Sequence, residues 1–339
     1  MTIIPEPSST IPSREILSSK VKFPDTDLPF YRQLGRTDMT VSCLGLGGGG
    51  GISSEDTLYA FDRGINYFFY SSDLHHHIYM SMADALRKLC GRGSSVREQV
   101  VLATVTYISR TPTPQTIVTY LHDQFDELGI DYIDIFFWGW IDANNADTFN
   151  KCVNISDKLR GSNTVYKRLI EAMFKTSERL KKMGAVRYIG ASFHDLDLAH
   201  QWSNSPLLDI VMVRHNVAHR NAQQKVFAHL DAQDTQRPGI VTFKSAGMGL
   251  PLWHRPAYLP AGCWRPSVPD LYRYSLSQNS VDVALTGMTN RQEIDAAIKG
   301  VQQGQLSAAE LDYLNFYGDL HRSRIKPEDI PADDRLLYR

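Results

Sequence analysis

Four cysteines in 339 residues, none of them in a CxxC pair, leave neither a disulfide framework nor a thiolate zinc site. Cys43, Cys90, Cys152 and Cys263 lie far apart, which fits a reducing cytoplasm. No run of about 18 apolar residues exists, so no membrane span is expected. The first thirty residues, rich in Pro, Ser and charge, lack the apolar centre of a signal peptide. Charge of one sign is also missing. A net charge of −1 gives no field that would draw the chain to nucleic acid or anionic lipid. Metal and phosphate motifs are scarce as well. There is no H-E-x-x-H, and Gly47 to Gly51 match neither Rossmann nor Walker spacing, so they read as a turn. What the chain does have is a 42% hydrophobic composition, enough for a large core.

That core is laid out as alternating strand and helix signals. Residues 1–29 read as an irregular arm, and Tyr31 to Val41, turning at Gly35-Arg36-Thr37-Asp38, as a hairpin. Strands follow at Ser42–Leu46, Asn66–Tyr70, Val100–Val105, Tyr132–Trp138, Val186–Ala191, Ile210–Arg214, Ile240–Phe243 and Val281–Leu285. Helices fall between them. One opens at the Ser53-Ser54-Glu55-Asp56 cap and runs to Arg63, and others cover Tyr79–Leu89, Pro114–Leu128, Val165–Met183, Ala222–Asp231 and Asp270–Leu276. A polar insertion spans 141–163, a Pro/Gly/Trp-rich loop 244–266, and two further helices 290–302 and 307–320. Eight βα repeats with short returns predict one (β/α)8 TIM barrel over residues 30–322, with a closing hairpin, extra C-terminal helices and a charged tail at 323–339.

The opening Tyr31-to-Gly47 segment, G-I-N-Y-F at 64–68, L-G-I-D-Y-I-D-I-F at 128–136, G-A-V-R-Y-I-G-A-S at 184–192 and L-T-G-M-T at 285–289 together resemble the aldo-keto reductases over residues 31–303. The resemblance implies NAD(P)H-linked carbonyl reduction, in which a tyrosine gives a proton to the carbonyl oxygen. An aspartate and a lysine lower that tyrosine's pKa, and a histidine orients the substrate. At the matching positions this chain has Leu74, Phe69, Val105 and Gly139. Cofactor-side matches are Ser192, Phe243 as a stacking ring, Thr289, Asn290 and Arg291, whereas Phe193, Met212, Glu293 and Ala297 depart from the pattern. A divergent aldo-keto-reductase-like group carries R-Y-N-A-A-H-R-G-A, similar to Arg214-His215-Asn216-Val217-Ala218-His219-Arg220 here.

Barrel chemistry sits at the carboxyl ends of strands, so the candidates are the residues found there. Arg214, two residues after inward Met212, should point inward to an anion; the bland alternative is a salt bridge with Asp73 or Asp134. Tyr70, Asp73 and Lys244 are candidates for proton transfer, with Tyr107 beside them. Phe69, Trp138, Trp140, His194, His215 and Asn216 are expected to line a pocket, the two tryptophans flanking Gly139 as an aromatic wall. Of His75-His76-His77, alternate residues can share an ion, so His75 and His77 are the metal candidates, completed by Asp73, His194 or His215. The expectation is a monomer or small homo-oligomer acting on a small molecule, with NADP(H) or a metal ion as cofactor. Three functions stay open: a reductase with a rebuilt site, a nicotinamide-independent lyase, cyclase or metal-assisted oxidase, and a non-catalytic binding protein.

Overall fold

The computed structural model describes residue 17 and residues 22–71, 76–107, 114–142, 163–247, 251–256 and 258–322. Most of the arm, Asp73, Leu74, His75, the greater part of the polar insertion and the tail lie outside these residues. Eight parallel strands close into a barrel: β3 (Leu44–Gly47), β4 (Tyr67–Tyr70), β5 (Val101–Tyr107), β6 (Ile133–Ile141), β7 (Val186–Phe193), β8 (Ile210–Arg214), β9 (Gly239–Phe243) and β10 (Val283–Thr286), the last pairing back onto β3. The hairpin β1 (Tyr31–Gln33) and β2 (Thr40–Ser42) covers the amino-terminal pole. Its turn requires Gly35, which has φ +49° and lies so close to β9 that a Cβ would come within 2.1 Å of the Gly239 nitrogen.

Strand register decides which side chains face the axis, because neighbours paired in a parallel sheet share a face. The pairs Gly47↔Phe69, Phe69↔Ala103, Val105↔Phe137, Tyr107↔Gly139, Ser192↔Met212 and Arg214↔Phe243 give the inner set. Ring contact between Phe69 and Phe137 across the interior, at 6.0 Å, agrees with that phase. Tyr70 and Trp138 therefore face outward, against the helices.

The helical layer comprises α1 (Ser54–Asp62), α2 (Ala83–Cys90), α3 (Pro114–Leu128), α4 (Asn163–Lys182), α5 (Leu196–Ser203), α6 (Asn221–Lys225), α7 (Val268–Leu276), α8 (Arg291–Val301) and α9 (Ala308–His321). Side-chain oxygens start several of them: Ser53 caps α1, Asn290 caps α8, and Ser307 with Glu310 forms a capping box on α9. Two expected helices are broken. The one predicted from Ala222 is the short α6 followed by a 3₁₀ turn at Phe227–His229, because Val226 leaves helical geometry at φ −122°. The one predicted from Tyr79 begins as a turn at His76–Tyr79 and a 3₁₀ turn at Met80–Met82. None of the described helices is long and apolar enough to cross a membrane.

Two hydrophobic clusters organise the packing. The larger fills the barrel and its helical interface. The smaller joins Leu252, Leu259, Tyr274, Tyr313 and Tyr317, and so fastens α9 across the loop after β9. Gly318 permits this approach, since a Cβ there would meet the Val217 carbonyl oxygen at 2.0 Å. The Arg220–Asp319 pair, two bonds of 2.8 Å, locks the same contact. As a result the end of α9, at Arg322, arrives at the carboxyl-terminal mouth of the barrel.

Candidate active site

The mouth is divided. On the β3–β6 side it is closed by apolar packing: Phe69 meets Phe137 and Tyr79, and Gly48 lies where a Cβ would be 2.4 Å from the Met82 sulfur and 2.6 Å from the Tyr79 ring. Gly139 is equally crowded, with Val105 Cγ2 and Tyr107 Cδ1 at 2.7 and 2.8 Å from a Cβ position. The inward positions of Phe69, Val105 and Gly139 thus carry no titratable group.

The β6–β9 side opens into a cavity of about 400 Å³ whose lining includes Trp140, Asp142, His194, Arg214, His219, Lys244 and Arg322. Its wall is built by an irregularity in β6. The register shifts between Trp138 and Ile141, Trp140 takes φ +61°, and its N–H donates to Ser192 Oγ at 3.0 Å. That turn swings the indole outward over Tyr107 and His194. The His194 ring stands edge-on to Phe243 at 5.3 Å, and neither of its nitrogens has a hydrogen-bond partner. Burial, then the charges of Arg214 and Lys244, push its pKa down to about 4 against a weaker opposing pull from Asp142. The imidazole is neutral at pH 7.

Among the described residues the cations form no ion pair, although Asp142 shares their cavity. Arg214 Nε is buried without a partner, and no ion pair among the described residues involves Arg214, Lys244 or Arg322. Burial and then Arg322 lower the pKa of Arg214; burial and then Arg214 lower that of Lys244. Lys244 sits at φ +59°, a strained backbone for a side chain with a Cβ. Asn216 holds it there, donating Nδ2–H to the Lys244 carbonyl at 2.8 Å while Oδ1 accepts from the N–H groups of Ala218 and His219. Because Asn216 Oδ1 also meets His219 Nδ1 at 3.2 Å, the His219 proton is on Nδ1, and Nε2 accepts from Arg322 at 2.7 Å.

The structure corrects several expectations. Tyr70 faces outward, fully buried, and donates to Glu127 at 2.7 Å, which raises its pKa further beyond that of an acid catalyst. Trp138 is no pocket wall; it is buried beneath α4 with Nε1–H on Ser177 at 2.7 Å. His215 is buried between Ser275 and Gln223, stacked on Tyr274, with its pKa pushed down by burial to about 3. Asn216 braces the loop rather than lining the cavity. Asp134 is no partner for Arg214, since Arg97 and Arg187 hold it at 2.8 and 3.4 Å. Asp73 and His75 fall outside the described residues, His77 is exposed, and no group of three metal-binding side chains occurs among the described residues. The structure brings Arg214, Lys244, His194 and Trp140 together. Sequence reading missed Arg322, whose only signal was its place at the end of a final helix.

A second crevice, about 460 Å³, lies at the opposite pole around Arg32 and Arg237. Its arginines are committed, Arg237 to Asp282 and Arg32 to the carbonyls of Pro29 and Val281, so it offers a ligand little.

With a closed barrel whose functional face is of this kind, comparison with known proteins is decisive. A family model described as the aldo/keto reductase family matches residues 53–250, more than half of the sequence. The chain belongs to the aldo-keto reductase family. Aldo-keto reductase AKR11C1 from Bacillus halodurans, in its holo form, superposes with a TM-score of 0.61 at 19% identity, covering 85% of this chain and 95% of that one. A thermostable aldo-keto reductase, Tm1743, in complex with the inhibitor epalrestat gives 0.58 at 16%, covering 85% and 100%. At such identities the likeness is one of fold. A search of curated protein sequences finds no match. Members of the family are typically NADP(H)-dependent carbonyl reductases.

Proposed function

We propose that this aldo-keto reductase family member is a small-molecule enzyme with a rebuilt active site, reducing a carbonyl or an imine in the cavity between the ends of β6 and β9. One observation carries the reading. Phe69, Val105 and Gly139 are packed shut, while Lys244, Arg214 and His194 converge on an open cavity next to them. A carbonyl oxygen lodged there would receive its proton from Lys244, whose pKa is lowered by burial and then by the Arg214 charge. Arg214 would stabilise the charge that develops on that oxygen. His194, already neutral, would orient the substrate as hydrogen-bond donor or acceptor rather than supply the proton.

NADP(H), the cofactor that family membership implies, fits only in part. Ser192 and Phe243 are present at the nicotinamide end. At the adenosine end, Arg291 is paired with Glu55 and Asp56, and Glu293 accepts from both the N–H and the hydroxyl of Thr289. Asn290 is spent as a helix cap. Three carboxylates where a 2′-phosphate would lie repel it, so the phosphorylated dinucleotide does not fit these residues as they stand. That mismatch falls on the 2′-phosphate alone, so the hydride donor these residues suit is NADH; a nicotinamide-independent lyase, cyclase or oxidase is the second reading.

Titration of NADH and NADPH against Trp fluorescence, with turnover on carboxylated aldehydes and ketones, separates the readings. The proposal expects dinucleotide binding and turnover that Lys244→Met abolishes while substrate binding persists. Absence of dinucleotide binding, with no carbonyl turnover, overturns it in favour of the second reading.

A further inference from the structure

The same cavity carries more information than the position of an acid. Its cationic groups come from three separate elements: Arg214 ends β8, Lys244 follows β9, and Arg322 ends α9. The last two are held in place by one side chain, Asn216, directly for Lys244 and through His219 for Arg322. Three like charges in one concavity, with no ion pair to any of them among the described residues and only Asp142 as an acidic group in the lining, cost free energy in the empty protein. An arginine Nε buried without an acceptor adds to that cost. Both are relieved by a ligand with negative charge at two places, since one anionic group at Arg214 would leave Arg322 and Lys244 uncompensated.

We infer that the cavity binds a compact dianion, a dicarboxylate or a phosphate monoester, gripped by Arg214 and Lys244 on the barrel and by Arg322 on α9. The inference names the substrate class for the site proposed above and rests on chemistry occurring there. Arg214, set inward and half-buried, takes one anionic group through its planar fork. Arg322, exposed at the rim, meets the second and fixes the ligand's orientation. Trp140 and His194 supply the flat apolar wall between them. Asp142, also in the lining, disfavours a ligand carrying still more negative charge.

Isothermal titration calorimetry on the full chain, without any cofactor, tests this. The probes are 2-oxoglutarate for a dicarboxylate, glycerol 3-phosphate for a phosphate monoester, and pyruvate for a monoanion. One of the two dianions should bind at least roughly tenfold more tightly than pyruvate, the weight of one charge-assisted contact. Whichever does so identifies the anion's chemistry. Arg322→Gln should erase the preference for the dianion while leaving pyruvate binding unchanged, and Arg214→Gln should weaken all three. Arg92→Gln, at a surface arginine paired with Asp131, should change none. Equal affinity for pyruvate and both dianions, or a preference that survives Arg322→Gln, overturns the inference. Dianion binding without carbonyl turnover would sink the reductase reading and leave this one standing. Turnover of neutral carbonyls with no dianion binding would do the reverse.

Discussion

The amide of Asn216 donates a 2.8 Å hydrogen bond to the carbonyl of Lys244, a lysine held at φ +59°. A left-handed backbone at a residue with a Cβ costs on the order of 1–3 kcal/mol and persists only where neighbours impose it. Asn216→Ala removes that hold and strands the N–H groups of Ala218 and His219. It should lower stability by about 1–3 kcal/mol in chemical denaturation. Adding Lys244→Gly, which has no quarrel with positive φ, should restore part of the loss. No recovery would mean that the lysine backbone is unstrained.

Arg214→Met should behave unlike most substitutions of half-buried residues. The native arginine feels the like charge of Arg322 and pairs with no carboxylate among the described residues, so its removal relieves repulsion. The melting temperature of the ligand-free protein should hold or rise, and anion affinity should fall roughly tenfold to a hundredfold. A drop of several degrees would show that the guanidinium is architectural.

Histidine sets the acid limit. His194 and His215 have folded pKa values of about 4 and about 3, below the unfolded value of 6.5. Between those limits the unfolded chain binds more protons, so stability rises with pH across the window. It is complete above about 6.5 and is lost as pH falls toward 4 and then 3. Denaturation at pH 7, 5.5 and 4.5 should show the decline, and His215→Phe should flatten it. A flat profile in the unmodified protein would contradict the buried neutral state.

Simple aromatic aldehydes should be poor substrates. With Phe69 and Val105 in place of ionisable groups, the roughly 10²–10⁴-fold supplied by general acid catalysis is missing at those positions. Nor does Gly139→His rebuild the site alone, because its Cβ would come within 2.7 Å of Val105. That substitution should cost about 1–3 kcal/mol and add no activity. NADPH oxidation with benzaldehyde at about 10 s⁻¹, an ordinary enzymatic turnover, would show that the acid lies elsewhere.

At the opposite pole, Asp134 is buried between Arg97 and Arg187 and accepts the Leu102 N–H at 2.8 Å. Asp134→Ala removes the carboxylate that two buried guanidiniums share and should destabilise by about 3–5 kcal/mol, visible as a shifted denaturation midpoint.

The barrel was legible because its signals are local. Aromatic and β-branched runs bounded by glycine mark strands, and Ser53, Ser307 and Pro114 mark helix starts. The inward phase of Arg214 followed from its spacing of two from Met212, and the register Arg214↔Phe243 bears that out. Trp138 was misread because its neighbours Gly139 and Trp140 suggested a shared wall, whereas adjacent strand residues face opposite ways. The bulge that redirects Trp140 has no signature in one sequence. His215 and Tyr70 looked reactive by residue type, but each packs outward against a helix, which only the register reveals. Arg322 was out of reach for a different reason. Its role depends on where α9 lies, and that is fixed by Gly318 against Val217, a contact separated by some hundred residues in the chain.

Gly318 also sets the order in which the protein matures. All eight strands of the barrel, with Arg214 and Lys244, are synthesised before α9 exists, so the growing chain first presents a mouth with two of its three cations. Only when Gly318 seats against Val217 does Arg322 complete the set. A ligand that binds across Arg214, Lys244 and Arg322 would bind only the docked form and would therefore favour that last step of assembly.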